Sequence, residues 1–289
     1  MITPQKDSPE LAKALSIAKI VLKREDLHPY GSHKGRSIPR MIDHYADLGR
    51  ARFAITGSGN AALAAARHIK RCNSSGAKLS LDVFVGENID KDKLGLLEKE
   101  SSGDVRIARA ERPLQKLLEM TRLSNVISLR QSTDDEALVG YYELAEELLA
   151  IRDLDAVFMA TSSGTTIQGL GELFLREGRN IRLFAVQTTS CHPIADGFDA
   201  TDSEERSIAG AIVDKVAKRR GAVSKLLRSS GGGAYIAANA DIREAQAMLK
   251  VQADIDTTGN GALSLAGLKK ALSKGLSFHG TVVCIIGGR

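Results

Sequence analysis

The chain has no tryptophan, and aromatic residues make up only 4% of its 289 positions. That is too few for the stacking platforms on which single-stranded nucleic acids lie. The three cysteines, Cys72, Cys191 and Cys284, are far apart and form no Cys-x-x-Cys pair. This excludes a disulfide framework and a cysteine-based zinc cluster, and they read as buried thiols. The six histidines are scattered, with no pair at the spacing of a helical zinc site, so no metal is expected. No apolar run approaches the roughly 20 residues of a membrane span, and the opening "MITPQKDSPELAKAL" has no apolar signal core, so a cytoplasmic protein without a membrane partner is expected. Charge of one sign is also missing: the net +5 is the difference between 40 basic and 35 acidic residues, interleaved throughout. The one basic cluster, residues 215–225, has helix-like spacing with a glycine break and reads as a solvated face, so no nucleic-acid partner is expected. A mild positive field suits small anionic ligands.

What is present is a chain 43% hydrophobic and 26% charged, able to bury a full core as one large domain or two modest ones. Short β-branched or apolar runs recur at 18–23, 52–56, 79–85, 105–108, 125–129, 155–160, 181–186 and 281–287. Helical patterns lie between them at 60–72, 92–101, 113–123, 137–151, 241–253 and 263–275, while "SSGGG" at 229–233 reads as a loop. Strand and helix in turn specify an α/β fold with a mostly parallel, open twisted sheet. Such sheets bind ligands at the carboxyl ends of their strands.

Three loops follow a strand and precede a helix: "HPYGSHKGR" (28–36), "TGSGNAALAAA" (56–66) and "TSSGTTIQGLGEL" (161–173). Each offers small residues, approachable backbone N–H groups and a helix start whose dipole favours an anion. In the third, Ser162, Ser163, Gly164, Thr165 and Thr166 bring hydroxyls and N–H groups but no charge, and no Gly-Lys-Ser/Thr end, which suits one compact phosphate rather than a triphosphate with magnesium. The second fits G-x-G-x-x-A, but Asn60 would crowd a pyrophosphate and Asp82 lies within its strand, so a dinucleotide is not expected. The "DIDTTGNGALSL" stretch (254–265) has Thr258 and Leu265 where a calcium loop needs acidic ligands. A lysine on one loop, an asparagine on the second and a neutral cradle on the third are what a pyridoxal phosphate enzyme needs: an amine for the aldehyde, a partner for the ring hydroxyl, an anchor for the phosphate.

With those residues in view, the sequence resembles the fold type II pyridoxal phosphate enzymes: threonine synthase, threonine dehydratase, cysteine synthase and the tryptophan synthase β chain. "KREDLHPYGSHKGR" (23–36) resembles the family's K-x-E-x-x-x-P-T-G-S-x-K-x-R, "GSGNAA" (57–62) its Ser-Gly-Asn loop, and "SSGTT" (162–166) its phosphate loop. "ITP" (2–4) and "TVVCIIGGR" (281–289) resemble its two ends, so the likeness runs over nearly the whole chain. "QTTSCHPIADGF" (187–198), "SIAGAI" (207–212) and "NGALSLAGLKKAL" (260–272) look most like threonine synthase.

The resemblance implies a tryptophan synthase β-like fold of two domains, a large cofactor-binding domain of residues 1–36 plus 133–289 and a small mobile domain of residues 37–132. It implies pyridoxal 5'-phosphate on Lys34 as a Schiff base, the cofactor further held by Asn60, Ser162, Ser163, Gly164, Thr165 and Thr166, and an amino-acid substrate held by Gly57, Ser58, Gly59 and Arg36. Lys34, with its amine desolvated, would be the base at the substrate's α-carbon. The implied partners are a small amino acid and a second copy of the chain in a homodimer. The implied activity is a lyase of the threonine synthase kind, eliminating phosphate from O-phosphohomoserine with addition of water. The alternatives are a threonine or serine dehydratase, a cysteine synthase-like β-replacement enzyme, or a non-catalytic relative that keeps the cofactor. Tyr30, His33 and Gly35 depart from the family motif, Ile286 stands where the family keeps Ser or Thr facing the pyridine nitrogen, with Cys284 two residues earlier on the same strand face, and the sequence stops at Arg289, before the family's usual C-terminal segment.

Overall fold

A computed structural model of the chain describes residues 2–288 except Ser58, Asn88, Asp90 and Glu204. In chain order its elements are β1 (Gln5–Asp7), α1 (Pro9–Ala14), β2 (Lys19–Arg24), α2 (Lys34–Asp47), β3 (Arg52–Thr56), α3 (Asn60–Ser74), β4 (Ser80–Gly86), α4 (Lys91–Glu98), β5 (Val105–Ala110), α5 (Pro113–Leu123) and β6 (Ile127–Ser128). There follow α6 (Glu136–Val139), α7 (Tyr142–Leu149), β7 (Leu154–Ala160), α8 (Thr165–Arg176), β8 (Arg182–Thr188), α9 (Arg220–Ser229), β9 (Gly233–Ala237), α10 (Asn239–Ala253), α11 (Gly259–Ser273) and β10 (Thr281–Ile286). They form two compact units, residues 1–28 with 141–289, and residues 29–140. The boundaries thus fall at 28/29 and 140/141, where the sequence reading drew them at 36/37 and 132/133. The reason is α2, whose buried stripe of Ile38, Met41 and Ile42 belongs to the core of the 29–140 unit.

The larger unit holds a six-stranded sheet in the order β1-β2-β10-β7-β8-β9, parallel except for the antiparallel pair β1 and β2. Strands covered on both faces read as unbroken apolar runs, and every residue of β10 is buried. Side chains alternate between the faces: Val282, Cys284 and Ile286 join Phe158, Phe184 and the inner residues of α10 and α11, whereas Val283 and Ile285 join Val157, Met159 and residues of α7, α8 and α9. The rings of Phe158 and Phe184 stack with centroids 4.3 Å apart.

Charged side chains sit inside this unit. Lys23 on β2 is fully buried, donates from Nζ to the Thr3 carbonyl (2.8 Å) and pairs with Glu147 on α7. The Thr3 hydroxyl donates to Glu25, also fully buried, at 2.5 Å. The first two motif positions of the 23–36 stretch, Lys23 and Glu25, are therefore tied into the unit's interior rather than displayed to a ligand. The basic cluster also needs correction. Only its end from Arg220 is helical, and Arg219 is buried, with Nη1 donating to Gln168 Oε1 (3.2 Å), so it is not a wholly solvated face.

The 29–140 unit holds a four-stranded, all-parallel sheet in the order β5-β4-β3-β6, so β3 and β8 belong to different sheets. Its core is built from α2, the alanine-rich α3 and the inner faces of β3 and β4. Small side chains on α3 let α2 and α3 pack closely, which matters below.

Lys23→Ala is expected to destabilise the protein by about 3–5 kcal/mol, because it removes one partner of a buried ion pair. The double variant Lys23→Met, Glu147→Gln should recover most of the loss. Denaturant unfolding of the three proteins checks both statements; a single variant as stable as the parent would contradict them.

Candidate active site

The loop into α2 is shaped before any ligand is considered. Gly31 turns the chain at φ +83°, a left-handed conformation that side chains rarely adopt. Ser32, fully buried, then accepts the Gly35 N–H on its carbonyl (3.0 Å) and the Lys34 N–H on its hydroxyl (3.3 Å), while the His33 carbonyl accepts the Arg36 N–H (3.1 Å). Lys34 is half-buried and opens α2. Among the described residues no carboxylate pairs with its amine, and the first turn of α2 carries no acid. Arg36, two residues on, is 5% exposed, so it is not a surface cation.

The second loop lies in the same unit. Gly57 leaves β3 with its N–H donated to the Phe84 carbonyl (3.0 Å), Gly59 is the extended residue before α3, with its carbonyl accepting the Leu63 N–H (3.2 Å), and Asn60 is the first residue of α3. Ser58 lies outside the described residues. Lys34, Arg36, Gly57, Gly59 and Asn60 are thus carried by the starts of two helices packed on one sheet. Ser162 to Thr166 belong to the other unit.

There the loop after β7 is held from within. Gly164 has φ +87°, and a Cβ on it would stand 2.7 Å from Val223 Cγ2 and 3.2 Å from Ile194 Cδ1. Its N–H donates to Thr161 Oγ1 (3.0 Å). Ser162 Oγ accepts the N–H groups of Val213 and Asp214, each at 2.9 Å, and the hydroxyls of Ser163 and Thr165 lie 2.8 Å apart. The Ser162 hydroxyl and the Gly164 N–H are accordingly committed to protein partners. What an anion can use is the first turn of α8, whose N–H groups have no acceptor within the helix. With no charged side chain on the loop and a dipole pointing at it, this is a fit for one phosphate group.

Gln187, near the carboxyl end of β8, was not singled out by the sequence. It is fully buried, donates from Nε2 to the carbonyls of Thr161 (3.2 Å) and Ser162 (3.3 Å), and accepts on Oε1 the N–H groups of Ile194 (2.7 Å) and Ala195 (3.0 Å). It fastens the 161–162 backbone to the 194–195 segment. The signal was a polar residue directly after the apolar run "LFAV" of the strand "RLFAVQT". Ile286 ends β10 fully buried, and Cys284 is enclosed one pleat further down among Phe158 and Phe184, where burial pushes its thiol far above the ordinary range. Enclosure there removes Cys284 as a partner for a ring at the end of the strand.

A model of the family described as "Pyridoxal-phosphate dependent enzyme" matches residues 2–288. A threonine synthase from Methanosarcina acetivorans is 25% identical, over 99% of this chain and 74% of its own. Among solved structures, isoform 2 of threonine deaminase from Solanum lycopersicum superposes with a TM-score of 0.81 at 18% identity, over 99% of this chain and 83% of its own. Maize serine racemase gives 0.81 at 18% identity, over 99% and 87%.

Ser163→Asp tests the cradle without disturbing the fold, because a carboxylate beside a helix N-terminus is stabilising by about 0.3–1 kcal/mol yet repels a phosphate. The expected result is an unchanged or raised melting temperature with pyridoxal phosphate retained at least about tenfold more weakly, a loss of roughly 1.4 kcal/mol. Equilibrium dialysis of the cofactor against parent and variant measures it, and equal retention would contradict the assignment. Gln187→Leu should cost about 2–4 kcal/mol in unfolding experiments, since it strands the buried N–H groups of Ile194 and Ala195.

Proposed function

Since the chain belongs to the pyridoxal-phosphate dependent enzyme family, with pyridoxal phosphate as its cofactor and the fold of the type II enzymes, we propose that it is a lyase of the threonine synthase kind. Its substrate would be O-phosphohomoserine, from which phosphate is eliminated and to which water is added. The observation that carries this reading is Lys34: a half-buried amine, unpaired among the described residues, at the positive end of α2 with Arg36 two residues away. Each cation at that end opposes the helix dipole by about 0.3–1 kcal/mol. An amine so placed is open to a covalent bond with the cofactor's aldehyde.

Lys34 would hold the cofactor's aldehyde, Asn60 the ring hydroxyl, and the first-turn N–H groups of α8 the phosphate. When bound, the cofactor supplies an electron sink for the charge left at the substrate's α-carbon. The rest of the work falls to the chain. The Lys34 amine would take the substrate's α-proton and return it at a later carbon. The Gly57–Gly59 turn would hold the substrate carboxylate through N–H groups other than that of Gly57, which the Phe84 carbonyl accepts, and Arg36 would carry the positive charge that an anionic leaving group requires. The 25% identity to a threonine synthase and the "QTTSCHPIADGF" stretch support this substrate over others.

The test is a steady-state screen of O-phosphohomoserine, threonine, serine and O-acetylserine. Threonine and inorganic phosphate should appear from O-phosphohomoserine with a kcat/KM at least about tenfold above turnover of the others, and Lys34→Ala should lower kcat by at least about 10²–10⁴-fold. Ammonia release from threonine or serine as the dominant reaction would replace the proposal with a dehydratase, and no turnover of any of the four with cofactor bound would replace it with a cofactor-holding relative.

A further inference from the structure

One cluster of metal-ligating side chains lies outside the residues used so far. On α3, His68 and Cys72 are four residues apart and so share a face. Facing them from α2 is Asp43. His68 Nε2 is 2.7 Å from Asp43 Oδ1 and 3.4 Å from Cys72 Sγ, and the ligand atoms of all three lie within 4.8 Å of one another. His68 is 7% exposed and Cys72 is half-buried, while the Asp43 side chain is 54% exposed, so the cluster opens to solvent on one side. The other ring nitrogen of His68, Nδ1, is 2.8 Å from the hydroxyl of Tyr30.

We propose that Asp43, His68 and Cys72 form a site for one borderline-soft divalent ion of the zinc kind, with a fourth coordination position left to water. The donor set selects the metal: a thiolate and an imidazole favour zinc or cobalt over calcium or magnesium, and the carboxylate completes a three-ligand set. The spacing is close to what coordination needs. Zinc–nitrogen and zinc–sulfur bonds of about 2.05 and 2.3 Å at a tetrahedral angle put N and S about 3.5 Å apart. The present separation is 3.4 Å. The Asp43–His68 separation must open by about 0.6 Å from 2.7 Å, which a rotation of the exposed carboxylate supplies.

The proton balance is definite. A carboxylate can only accept, so the proton shared with Asp43 sits on His68 Nε2, and Nδ1 accepts from the Tyr30 hydroxyl. On binding, that proton moves to Nδ1, the Cys72 thiol gives its proton to solvent, and bonds form from Nε2, Sγ and a carboxylate oxygen to the ion. One proton leaves per ion bound. Tyr30 then becomes the acceptor of the His68 Nδ1–H, the outer-shell contact that fixes a ligating histidine's orientation. Because the Cys72 thiol must lose its proton to ligate, binding strengthens as pH rises. Arg71 also faces the cluster, with Nη1 3.5 Å from the Tyr30 hydroxyl; it is fully exposed and free to swing away. Because Tyr30 begins the turn that ends at Lys34, the ion and the Lys34 loop share a hydrogen-bond partner.

The experiment uses cofactor-loaded protein freed of metal by a chelator and titrated calorimetrically with zinc sulfate in two buffers of different ionisation enthalpy. The expected result is one ion per chain and about one proton released per ion. Asp43→Asn and Cys72→Ser should each lower zinc affinity more than tenfold, Tyr30→Phe by about tenfold, and zinc should block alkylation of Cys72. If His68→Ala fails to fold, the other two ligand variants decide the matter, since neither side chain is fully buried. Absence of saturable zinc uptake, affinity unchanged by both Asp43→Asn and Cys72→Ser, or zinc uptake that leaves Cys72 open to alkylation would each overturn the site.

Discussion

Two cations at the positive end of one helix are the constraint on which the rest turns. Lys34 and Arg36 occupy the first turn of α2, where the dipole disfavours both and the turn itself carries no acid. Local rules for helix starts are broken here, and such breaks are expected where function demands them. The surroundings hold the arrangement in place: Gly31 makes the left-handed turn, Ser32 takes two N–H groups of the following residues, and the apolar stripe Ile38, Met41 and Ile42 anchors α2 whatever its first turn costs. The stripe stabilises by several kcal/mol, against about 1–2 kcal/mol for two misplaced charges.

The larger unit solves the complementary problem of receiving an anion without a cation. Its phosphate loop commits the Ser162 hydroxyl and the Gly164 N–H to protein partners and is fastened by Gln187, so the first turn of α8 is presented rigidly rather than assembled around a ligand. Preorganised N–H groups lose little freedom on binding, and charge-assisted bonds of this kind are worth roughly 1.5–3 kcal/mol each. The same unit keeps Lys23, Glu147, Thr3 and Glu25 satisfied in its interior, which ties the chain's opening residues to α7 and β2. Polar residues that resemble a functional motif can therefore be structural ones.

Most of the sheet architecture was legible in the sequence because apolar alternation and strand-helix alternation are local signals. β3 and α5 were read at their observed bounds, 52–56 and 113–123. A helix was expected after the 28–36 loop, but the extent of α2 went unread because Gly35 and Pro39, which lies inside the helix, mask its periodicity. The run 137–151 divides into α6 and α7 at Gly140, where a Cβ would meet Arg36 O at 2.8 Å. β9 was hidden behind "SSGGG", a run whose last glycine is the strand's first residue. The three loops were found because each combines small residues with a strand-to-helix passage. Gln187 and the Asp43–His68–Cys72 cluster were not: one is a single polar residue whose partners are distant in sequence, and the other joins unlike ligands across two helices, invisible to a search for pairs of histidines or of cysteines.

The central claim is that Lys34, and no other lysine, carries pyridoxal phosphate. Reduction of the purified protein with borohydride followed by peptide mapping tests it most directly. The account predicts a single modified lysine in the peptide containing "YGSHKGR", absent when Lys34 is alanine. Modification at any other lysine, or retention of covalently fixed cofactor in Lys34→Ala, would contradict it.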